Sequence, residues 1–137
     1  MKILVLSDTH HHEIAKELLE DADLIIHCGD FGKSKELLDK YNVFYVRGNC
    51  DCDGQKYQLI TFNNKKIFIT HGDLENVKYG YDRLIYRALE TEADICCFGH
   101  THHQEMFKAE GITFLNPGAY PKYAIICDDE IILKDRW

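Results

Sequence analysis

Short apolar runs, each ending in a loop that carries aspartate, asparagine or histidine, are the feature that most constrains this 137-residue chain. Continuous runs of this length are typical of strands buried on both faces of a parallel sheet. Three of them, at 3–7, 24–28 and 43–46, alternate with helical patterns at 13–20 and from about residue 34. This order implies right-handed crossovers, which bring the loops together at the carboxyl ends of the strands.

The second half of the chain changes character and begins with a predicted hairpin. Two strand-like runs at 57–62 and 66–70 are separated by a turn segment with two asparagines, which favour tight hairpin turns. A helix is expected over about 81–90, followed by a buried strand at 94–98. Residues 105–137 alternate like antiparallel strands between polar turns. The second half is therefore expected to add a hairpin, a further buried strand and a set of antiparallel strands.

Composition limits the class of protein. A hydrophobic content of 45% supports one sizeable core, so residues 1–137 are expected to form a single domain. The net charge of −7 argues against an extended nucleic-acid surface. The apolar stretch after Lys2 is too short for a signal peptide, and no run approaches transmembrane length. Six cysteines without disulfide-scaffold spacing indicate a reducing compartment, so a cytoplasmic protein without a membrane partner is expected.

Seven residues of the kinds that bind divalent metals lie where the apolar runs end: Asp8, His10, Asp30, Asn49, His71, His100 and His102. A dinuclear centre needs one carboxylate that bridges the cations, with imidazoles and oxygens completing each coordination sphere. The chain offers that whole set. It therefore predicts a two-metal phosphoesterase site.

Five segments around these residues resemble the ordered signature of the calcineurin-like metallophosphoesterases: Ser7-Asp8-Thr9-His10, Cys28-Gly29-Asp30, Arg47-Gly48-Asn49-Cys50-Asp51, Thr70-His71-Gly72-Asp73 and Gly99-His100-Thr101-His102. The resemblance spans nearly the whole chain. It is strongest to the small bacterial and archaeal phosphodiesterases, because of the Gly-Asn-Cys-Asp segment and a late Leu115-Asn116-Pro117-Gly118. It implies an α/β fold, a layered α-β-β-α sandwich of two mixed sheets flanked by helices.

The resemblance also implies which residues hold which cation. One metal would be bound by Asp8, His10, Asp30 and His102, and the other by Asp30, Asn49, His71 and His100, with Asp30 as the bridge. Manganese is the expected metal, with iron, nickel, cobalt and zinc as alternatives. The cations would hold a bridging hydroxide that attacks phosphorus in line. On an extended segment, His100 and His102 would point the same way and reach neighbouring metals.

The expected catalytic residues are Asn49, His71 and Asp51. Asn49 can supply only a neutral amide oxygen, which leaves its metal a stronger Lewis acid than another carboxylate would. Asp51 suits either the orientation of ligands or simply the end of a turn.

One position departs from the broader superfamily, because many members have histidine where this chain has Cys50, and that imidazole is assigned to protonating the leaving group. A thiol, with an ordinary pKa of about 8.5, matches that role poorly. His11 and His103 are candidate donors by adjacency alone, and exposed polar side chains are the simpler interpretation. Cys50 and Cys52 are expected to be small buried side chains, and His27 a core histidine.

The function expected from these patterns is hydrolysis of a small soluble phosphodiester. A phosphomonoesterase would use the same metals and differ in its contacts to the extra phosphate charge. A protein-assembly scaffold with this fold is the alternative from another class, and a complete ligand set argues against it. A homo-oligomer is also expected, since exposed apolar surface could support self-association.

Overall fold

Two five-stranded sheets lie face to face in the computed structural model, which describes residues 1–135 apart from the side chains of Lys33 and Leu37. The elements in chain order are β1 (Lys2–Leu6), α1 (Lys16–Asp21), β2 (Leu24–His27), α2 (Lys35–Lys40), β3 (Val43–Tyr45), β4 (Tyr57–Phe62), β5 (Lys65–Thr70), α3 (Asp82–Glu90), β6 (Ile95–Cys97), β7 (Glu105–Ala109), β8 (Ile112–Asn116), β9 (Tyr123–Cys127) and β10 (Glu130–Lys134). Short 3-10 helices lie at Gly32–Ser34 and Val77–Tyr79. Arg136 and Trp137, the end of the region expected to form antiparallel strands, lie outside the described residues.

The first sheet has the strand order β10-β9-β1-β2-β3. Its strands β1, β2 and β3 are parallel, with Ile3 opposite Leu24 and Ile25 opposite Val43. Strand β9 returns from the far end of the chain and pairs antiparallel with β1. The parallel part agrees with the strand, helix, strand order of the sequence, because parallel neighbours require a crossover.

The second sheet has the strand order β4-β5-β6-β8-β7. Strands β4 and β5 form the expected hairpin, in which Phe62 pairs with Lys65 across a two-residue loop. Asn63 and Asn64 in that loop both have positive φ, of 53° and 64°. Such a loop suits the right-handed twist of the strands, and asparagine tolerates this conformation better than most residues do. Strand β6 is parallel to β5 on one side and to β8 on the other.

Apolar side chains fill the space between the sheets. Val5 and Ile26 from the first sheet and Ile69, Cys97 and Leu115 from the second belong to one buried cluster. Each large aliphatic side chain removed from water contributes roughly 1.5–3 kcal/mol. This central layer therefore holds the two sheets together.

Helices cover the outer faces of both sheets. On the first sheet Leu19 of α1 belongs to a cluster with Leu4 and Leu6, and on the second Leu84 and Ala88 of α3 belong to a cluster with aromatic residues of β5 and β8. Leu84 and Ala88 are four residues apart and therefore lie on one face of the helix. The expected α-β-β-α sandwich is confirmed.

Two sequence predictions were inaccurate in detail. Helix α1 begins at Lys16 rather than at Glu13, because Ala15 has a non-helical ψ of 125°, and the backbone N–H of Ala15 donates to the hydroxyl of Tyr120. The antiparallel strands expected after residue 105 are present as the pairs β7–β8 and β9–β10, but β8 also pairs parallel with β6, and β9 joins the other sheet. Strands β8 and β9 are mostly buried on both faces, so alternation of polarity could not identify their partners.

The described helices include none that is long and apolar enough to cross a lipid bilayer. The carboxyl ends of β1, β2, β3, β5 and β6 lead into the five loops with the metal-compatible residues. The fold therefore determines where these side chains meet.

Candidate metal centre

Both sheets contribute to one cluster of polar side chains. The first sheet supplies Asp8, His10, Asp30 and Asn49, and the second supplies His71, His100 and His102. Contacts of 3.3 Å or less join members of the two sets: Nε2 of His102 lies 3.2 Å from Oδ1 of Asp8, and Nε2 of His71 lies 3.3 Å from Oδ2 of Asp30. The structure thus brings together all seven residues expected from the sequence.

Five members of the cluster have a left-handed backbone, which is uncommon for residues other than glycine. They are Asp8 (φ 51°), His10 (46°), Asp30 (61°), His100 (71°) and His102 (64°). Such strain costs of order 1 kcal/mol or more per residue, and it concentrates at functional sites. Two backbone hydrogen bonds fix the loop that carries Asp8 and His10. They run from Asp8 N–H to the carbonyl of Gly29 and from His10 N–H to that of Asp30, and both are 2.9 Å long. Because His100 and His102 both have positive φ, their segment is not extended, and the expectation of an extended segment is wrong. Nε2 of His102 lies 3.2 Å from Oδ1 of Asp8, whereas Nδ1 of His100 lies 3.2 Å from Nε2 of His71.

Asp8 tests whether the cluster suits a cation. Its Oδ2 accepts hydrogen bonds from the Ser7 hydroxyl at 2.6 Å and the backbone N–H of His100 at 3.1 Å. Its Oδ1 is fully buried and has no hydrogen-bond partner within the described residues. Instead, Nε2 atoms of three histidines face that oxygen, at 3.2 Å for His102, 3.9 Å for His71 and 4.0 Å for His10. A buried carboxylate oxygen without a donor, ringed by imidazole nitrogens, is the arrangement that a divalent cation satisfies.

His71 is oriented for the same purpose. Its Nδ1 lies 2.7 Å from the carbonyl oxygen of Cys28, and this contact requires a proton on Nδ1. In the neutral ring Nε2 then carries a lone pair, and it lies 2.9 Å from Oδ1 of Asn49 and 3.2 Å from Nδ1 of His100. Three acceptor-capable atoms therefore converge on one point. Hydrogen bonding of a ligand's second ring nitrogen to a carbonyl is the usual way that proteins orient metal-binding histidines.

The pKa shifts of Asp30, His71 and His100 differ in direction and follow from burial and from the charges that face each group. Burial opposes charge on both partners, yet the hydrogen bond and attraction between Asp30 and His71 lower the pKa of Asp30 well below its usual range and raise the pKa of His71. Burial and the neighbouring charge of His71 lower the pKa of His100, which favours its neutral, ligand-competent form. Ligands to a metal must be deprotonated, so neutral His100 and ionised Asp30 are already in the required state, whereas the raised pKa of His71 favours a protonated ring that must lose its Nε2 proton to bind a metal.

Asp51 supports the cluster through hydrogen bonds to the backbone of the loops that carry the metal-compatible residues. Its Oδ2 accepts the backbone N–H groups of Asp30 at 2.7 Å and Gly48 at 2.8 Å, and its Oδ1 accepts that of Phe31 at 3.2 Å. The carboxylate therefore fixes the two loops that carry Asp30 and Asn49. Of the two sequence interpretations of Asp51, this geometry favours orientation of ligands over a simple turn end.

Two glycines allow the loops to approach one another closely. A Cβ atom at Gly48 would lie 2.1 Å from Oδ1 of Asp30, and one at Gly99 would lie 1.9 Å from Oγ of Ser7. Neither space admits a side chain. The Gly-Asn and Gly-His pairs of the sequence thus have a steric cause.

Asn116 was not predicted as a site residue, although the Leu115-Asn116-Pro117-Gly118 segment was noted. Its side chain is fully buried, and its amide donates to the carbonyl of Gly99 at 3.3 Å and to the hydroxyl of Thr101 at 3.0 Å. Asn116 therefore fixes the backbone between strand β6 and the two histidines that follow.

Glu75 supports the His71 loop, and no sequence signal identified it. Its carboxylate is buried and accepts the hydroxyls of Thr70 at 2.8 Å and Tyr57 at 3.0 Å. Nε of Arg87 on helix α3 lies 3.2 Å from the same carboxylate. These contacts tie the loop after His71 to β4 and α3. A buried acid in a loop is recognisable only once its partners are known.

The remaining predictions give mixed results. His27 is fully buried as expected, but Cys50 and Cys52 are exposed, which contradicts the expected burial. His11 and His103 are exposed, and Nε2 of His103 lies 3.5 Å from Glu105. Neither histidine belongs to the groups of metal-compatible atoms found in the part of the chain that the structure describes. Their role as proton donors stays a prediction.

The fold and the cluster together define a protein of the metallophosphoesterase class. The model of the calcineurin-like phosphoesterase superfamily domain matches residues 1–125, so the chain belongs to that superfamily.

Among curated relatives, the chain is 38% identical over 128 residues to the probable metallophosphoesterase YsnB of Bacillus subtilis, covering 87% of this chain and 75% of that protein. It is 29% identical over an alignment of 147 residues to phosphodiesterase MJ0936 of Methanocaldococcus jannaschii, covering 86% and 83%. These relatives place the chain in the small bacterial and archaeal branch.

Solved structures share the fold. A conserved protein of Streptococcus pneumoniae, described as a predicted phosphoesterase, superposes with a TM-score of 0.83 at 27% identity, covering 98% of this chain and 90% of that one. Vacuolar protein sorting 29 of Cryptosporidium parvum superposes with a TM-score of 0.81 at 19% identity, covering 97% and 95%. The second likeness concerns the fold alone.

Proposed function

We propose that this protein is a divalent-metal-dependent phosphodiesterase that hydrolyses a small soluble phosphodiester. The observation that carries the proposal is the buried Oδ1 of Asp8, which lacks a hydrogen-bond donor and faces three imidazole nitrogens. Membership of the calcineurin-like superfamily supports phosphoester hydrolysis. The likeness to a relative named as a phosphodiesterase favours a diester over a monoester.

The proposed ligand sets are those expected from the sequence, Asp8, His10, Asp30 and His102 for one metal and Asp30, Asn49, His71 and His100 for the other. Asp30 is the proposed shared ligand, because its Oδ2 lies 3.3 Å from Nε2 of His71 and 3.9 Å from Nε2 of His10, which belong to opposite sets. Manganese is the first candidate metal, and iron, nickel, cobalt and zinc are alternatives, because mixed histidine and oxygen donors do not select sharply.

Two divalent cations, when bound, supply Lewis acidity toward phosphate oxygens and acidify coordinated water. The residues of the chain determine how much charge remains for the substrate. Asp8 and Asp30 are the only two anionic members of the proposed ligand sets, and Asn49 and the histidines are neutral donors. The loaded centre would keep a net positive charge, which attracts an anionic phosphodiester.

The opening of the site decides what can enter. Asp8 and His71 are buried, whereas Asn49 and His102 are exposed. Substrate would therefore approach from the side of Asn49 and His102, while the carboxylates stay shielded from bulk water. His71, one of the expected catalytic residues, donates its Nδ1 proton to the carbonyl of Cys28, which leaves Nε2 on the side of Asn49.

The test compares a chromogenic phosphodiester with its monoester, using protein stripped by a chelator and reloaded with Mn²⁺. Asp30→Ala should abolish turnover, and Asp53→Ala, which removes an exposed aspartate paired with Lys35, should keep it. Circular dichroism of both variants verifies the fold. Diester turnover that needs both metal and Asp30 would support the proposal.

Two other outcomes would favour a different function for this protein. Faster turnover of the monoester would indicate a phosphatase that uses the same centre. Failure of the wild-type protein to bind metal would favour the alternative of a protein-assembly scaffold with this fold.

A further inference from the structure

Cys50 lies at the mouth of the cluster, where a sulfur donor is available alongside nitrogen and oxygen. Its thiol is exposed, and its ligand atom forms a group with those of His10 and Asp30 in which all atoms lie within 4.8 Å of one another. The backbone N–H of Cys50 donates to Oδ1 of Asp30 at 2.8 Å, which fixes the residue beside that carboxylate. Its sulfur lies 3.7 Å from the side-chain nitrogen of Asn49.

We propose that Cys50 is a direct ligand for thiophilic divalent cations, which it binds together with His10 and Asp30. Sulfur, imidazole and carboxylate donors suit Zn²⁺, Co²⁺ and Cd²⁺, whereas Mn²⁺ prefers oxygen donors. The centre would then use one donor set for hard cations and a second set, including sulfur, for soft ones. This inference rests on the metal-binding part of the proposed function and not on hydrolysis.

A second observation points to a cation at the same place. Oδ1 of Asp8 is fully buried and lacks a hydrogen-bond donor among the described residues, and it lies 4.0 Å from Nε2 of His10. Oδ2 of Asp30 lies 3.9 Å from the same nitrogen. Two buried carboxylate oxygens thus face His10 from the inner side, and the thiol of Cys50 offers a donor from the outer side.

The step is a ligand exchange and needs no oxidant. The S–H bond of Cys50 breaks, the sulfur keeps the electron pair and binds the cation, and the proton passes to solvent or buffer. A coordinated water is released in exchange.

The experiment is a Co²⁺ titration of reduced, chelator-stripped protein followed by absorption spectroscopy. A thiolate ligand gives sulfur-to-cobalt charge-transfer absorption in the near ultraviolet, in addition to the visible d–d bands of bound Co²⁺. Wild type and Cys52→Ser should show both features. Cys50→Ser should keep the d–d bands, which shows that it is folded and binds metal, and lose the charge-transfer absorption.

A competition between Cd²⁺ and Mn²⁺ measures the selectivity. Even groups outside the coordination sphere are worth about 10–100-fold in metal affinity. Cys50→Ser should therefore weaken Cd²⁺ binding at least about tenfold, with little change in the affinity for Mn²⁺.

Three results would overturn the inference. Visible d–d bands without charge transfer in wild type would mean that metal binds and Cys50 does not, which leaves the proposed function standing. Absence of every Co²⁺ feature in wild type would reject the inference together with the metal centre. Equal weakening of Cd²⁺ and Mn²⁺ in Cys50→Ser would show that the thiol supports the loop and is not a ligand.

Discussion

Oδ2 of Asp51 lies 2.7 Å from the backbone nitrogen of Asp30 and accepts its N–H. The same oxygen accepts the N–H of Gly48 from the neighbouring loop at 2.8 Å. One carboxylate thereby sets the distance between the loop of the proposed shared ligand and the loop of Asn49. Asp51 acts on the centre through the backbone, so its removal should affect stability and metal affinity together.

Asp51→Ala should lower the free energy of unfolding of the metal-free protein by about 1–3 kcal/mol, because backbone donors lose a charged acceptor. Urea unfolding measures this change. Asp53→Ala is the matched control on the same loop: its ion pair with Lys35 is exposed and screened by solvent, so a clearly smaller change is expected. Equal effects of the two substitutions would show that Asp51 does not fix the loops.

Gly48→Ala should abolish tight metal binding. A Cβ atom there would lie 2.1 Å from Oδ1 of Asp30 and 2.4 Å from its backbone nitrogen, so the Asp30 loop must move. Calorimetric titration with Mn²⁺ tests this. Gly80→Ala serves as the control, since a Cβ atom at that position meets no atom within 4 Å and the substitution adds only local backbone strain at φ 141°. Wild-type affinity in Gly48→Ala would contradict the crowded geometry.

Glu75→Ala should lower the free energy of unfolding by about 2–4 kcal/mol, because Thr70, Tyr57 and Arg87 lose their common acceptor. The side chain of Arg87 is 45% exposed and can be rehydrated, which keeps the cost below that of a fully buried pair. Glu90→Ala, at an exposed position on the same helix, should change stability by no more than about 0.5 kcal/mol. Metal affinity should also fall in Glu75→Ala, since the loop after His71 loses its anchor.

His27 should make the metal-free protein less stable as the pH falls. Its Nδ1 accepts the N–H of Gly29 at 3.1 Å and its Nε2 lies 3.0 Å from the hydroxyl of Thr9, so the ring is neutral with its proton on Nε2. Burial lowers the pKa of His27 to about 3, whereas the unfolded chain keeps the ordinary value of 6.5. Between these values only the unfolded state binds the proton, and stability therefore decreases toward low pH by up to about 1.4 kcal/mol per pH unit.

The measurement is the unfolding free energy from pH 7 to pH 4 in the presence of a chelator. His27→Asn keeps a polar side chain without the titration, so its pH dependence should be shallower than that of wild type. Parallel curves would show that His27 is protonated in the folded protein.

Thiol labelling should separate the cysteines by burial. Cys50 and Cys52 are exposed and should react with a thiol reagent in the native protein. Cys28, Cys96 and Cys97 are buried, and burial raises the pKa of Cys97 to about 12, so these three should react only after unfolding. Mass spectrometry of labelled peptides identifies the sites. Labelling of Cys97 in the native protein at the rate of Cys52 would contradict the described core.

The seven members of the cluster could be predicted from the sequence because their chemistry and position are both local. Each follows directly on an apolar run, and the carboxyl ends of parallel strands necessarily meet. The expected order of β1, β2 and β3 depended on the same reasoning. The hairpin at Asn63 and Asn64 was equally local, since two asparagines specify a turn with positive φ.

What the sequence did not predict depends on contacts between distant segments. The exposure of Cys50 depends on how its loop is held by Asp30, twenty residues away, and the role of Asp51 depends on the same loop. Glu75 has no local signature, because its partners lie on β4, β5 and α3. The left-handed backbone of His100 and His102, and the close approach of Gly99 to Ser7, cannot be recognised from any periodicity of the sequence.

The division of the cluster between the two sheets has a consequence for how the molecule assembles. One sheet brings both carboxylates, and the other brings three of the four imidazoles. Neither sheet alone offers all seven proposed donors, so the full donor set forms only when the two sheets are packed together. A bound ion would contact side chains from both sheets, so its binding would stabilise their packing and would report that folding is complete.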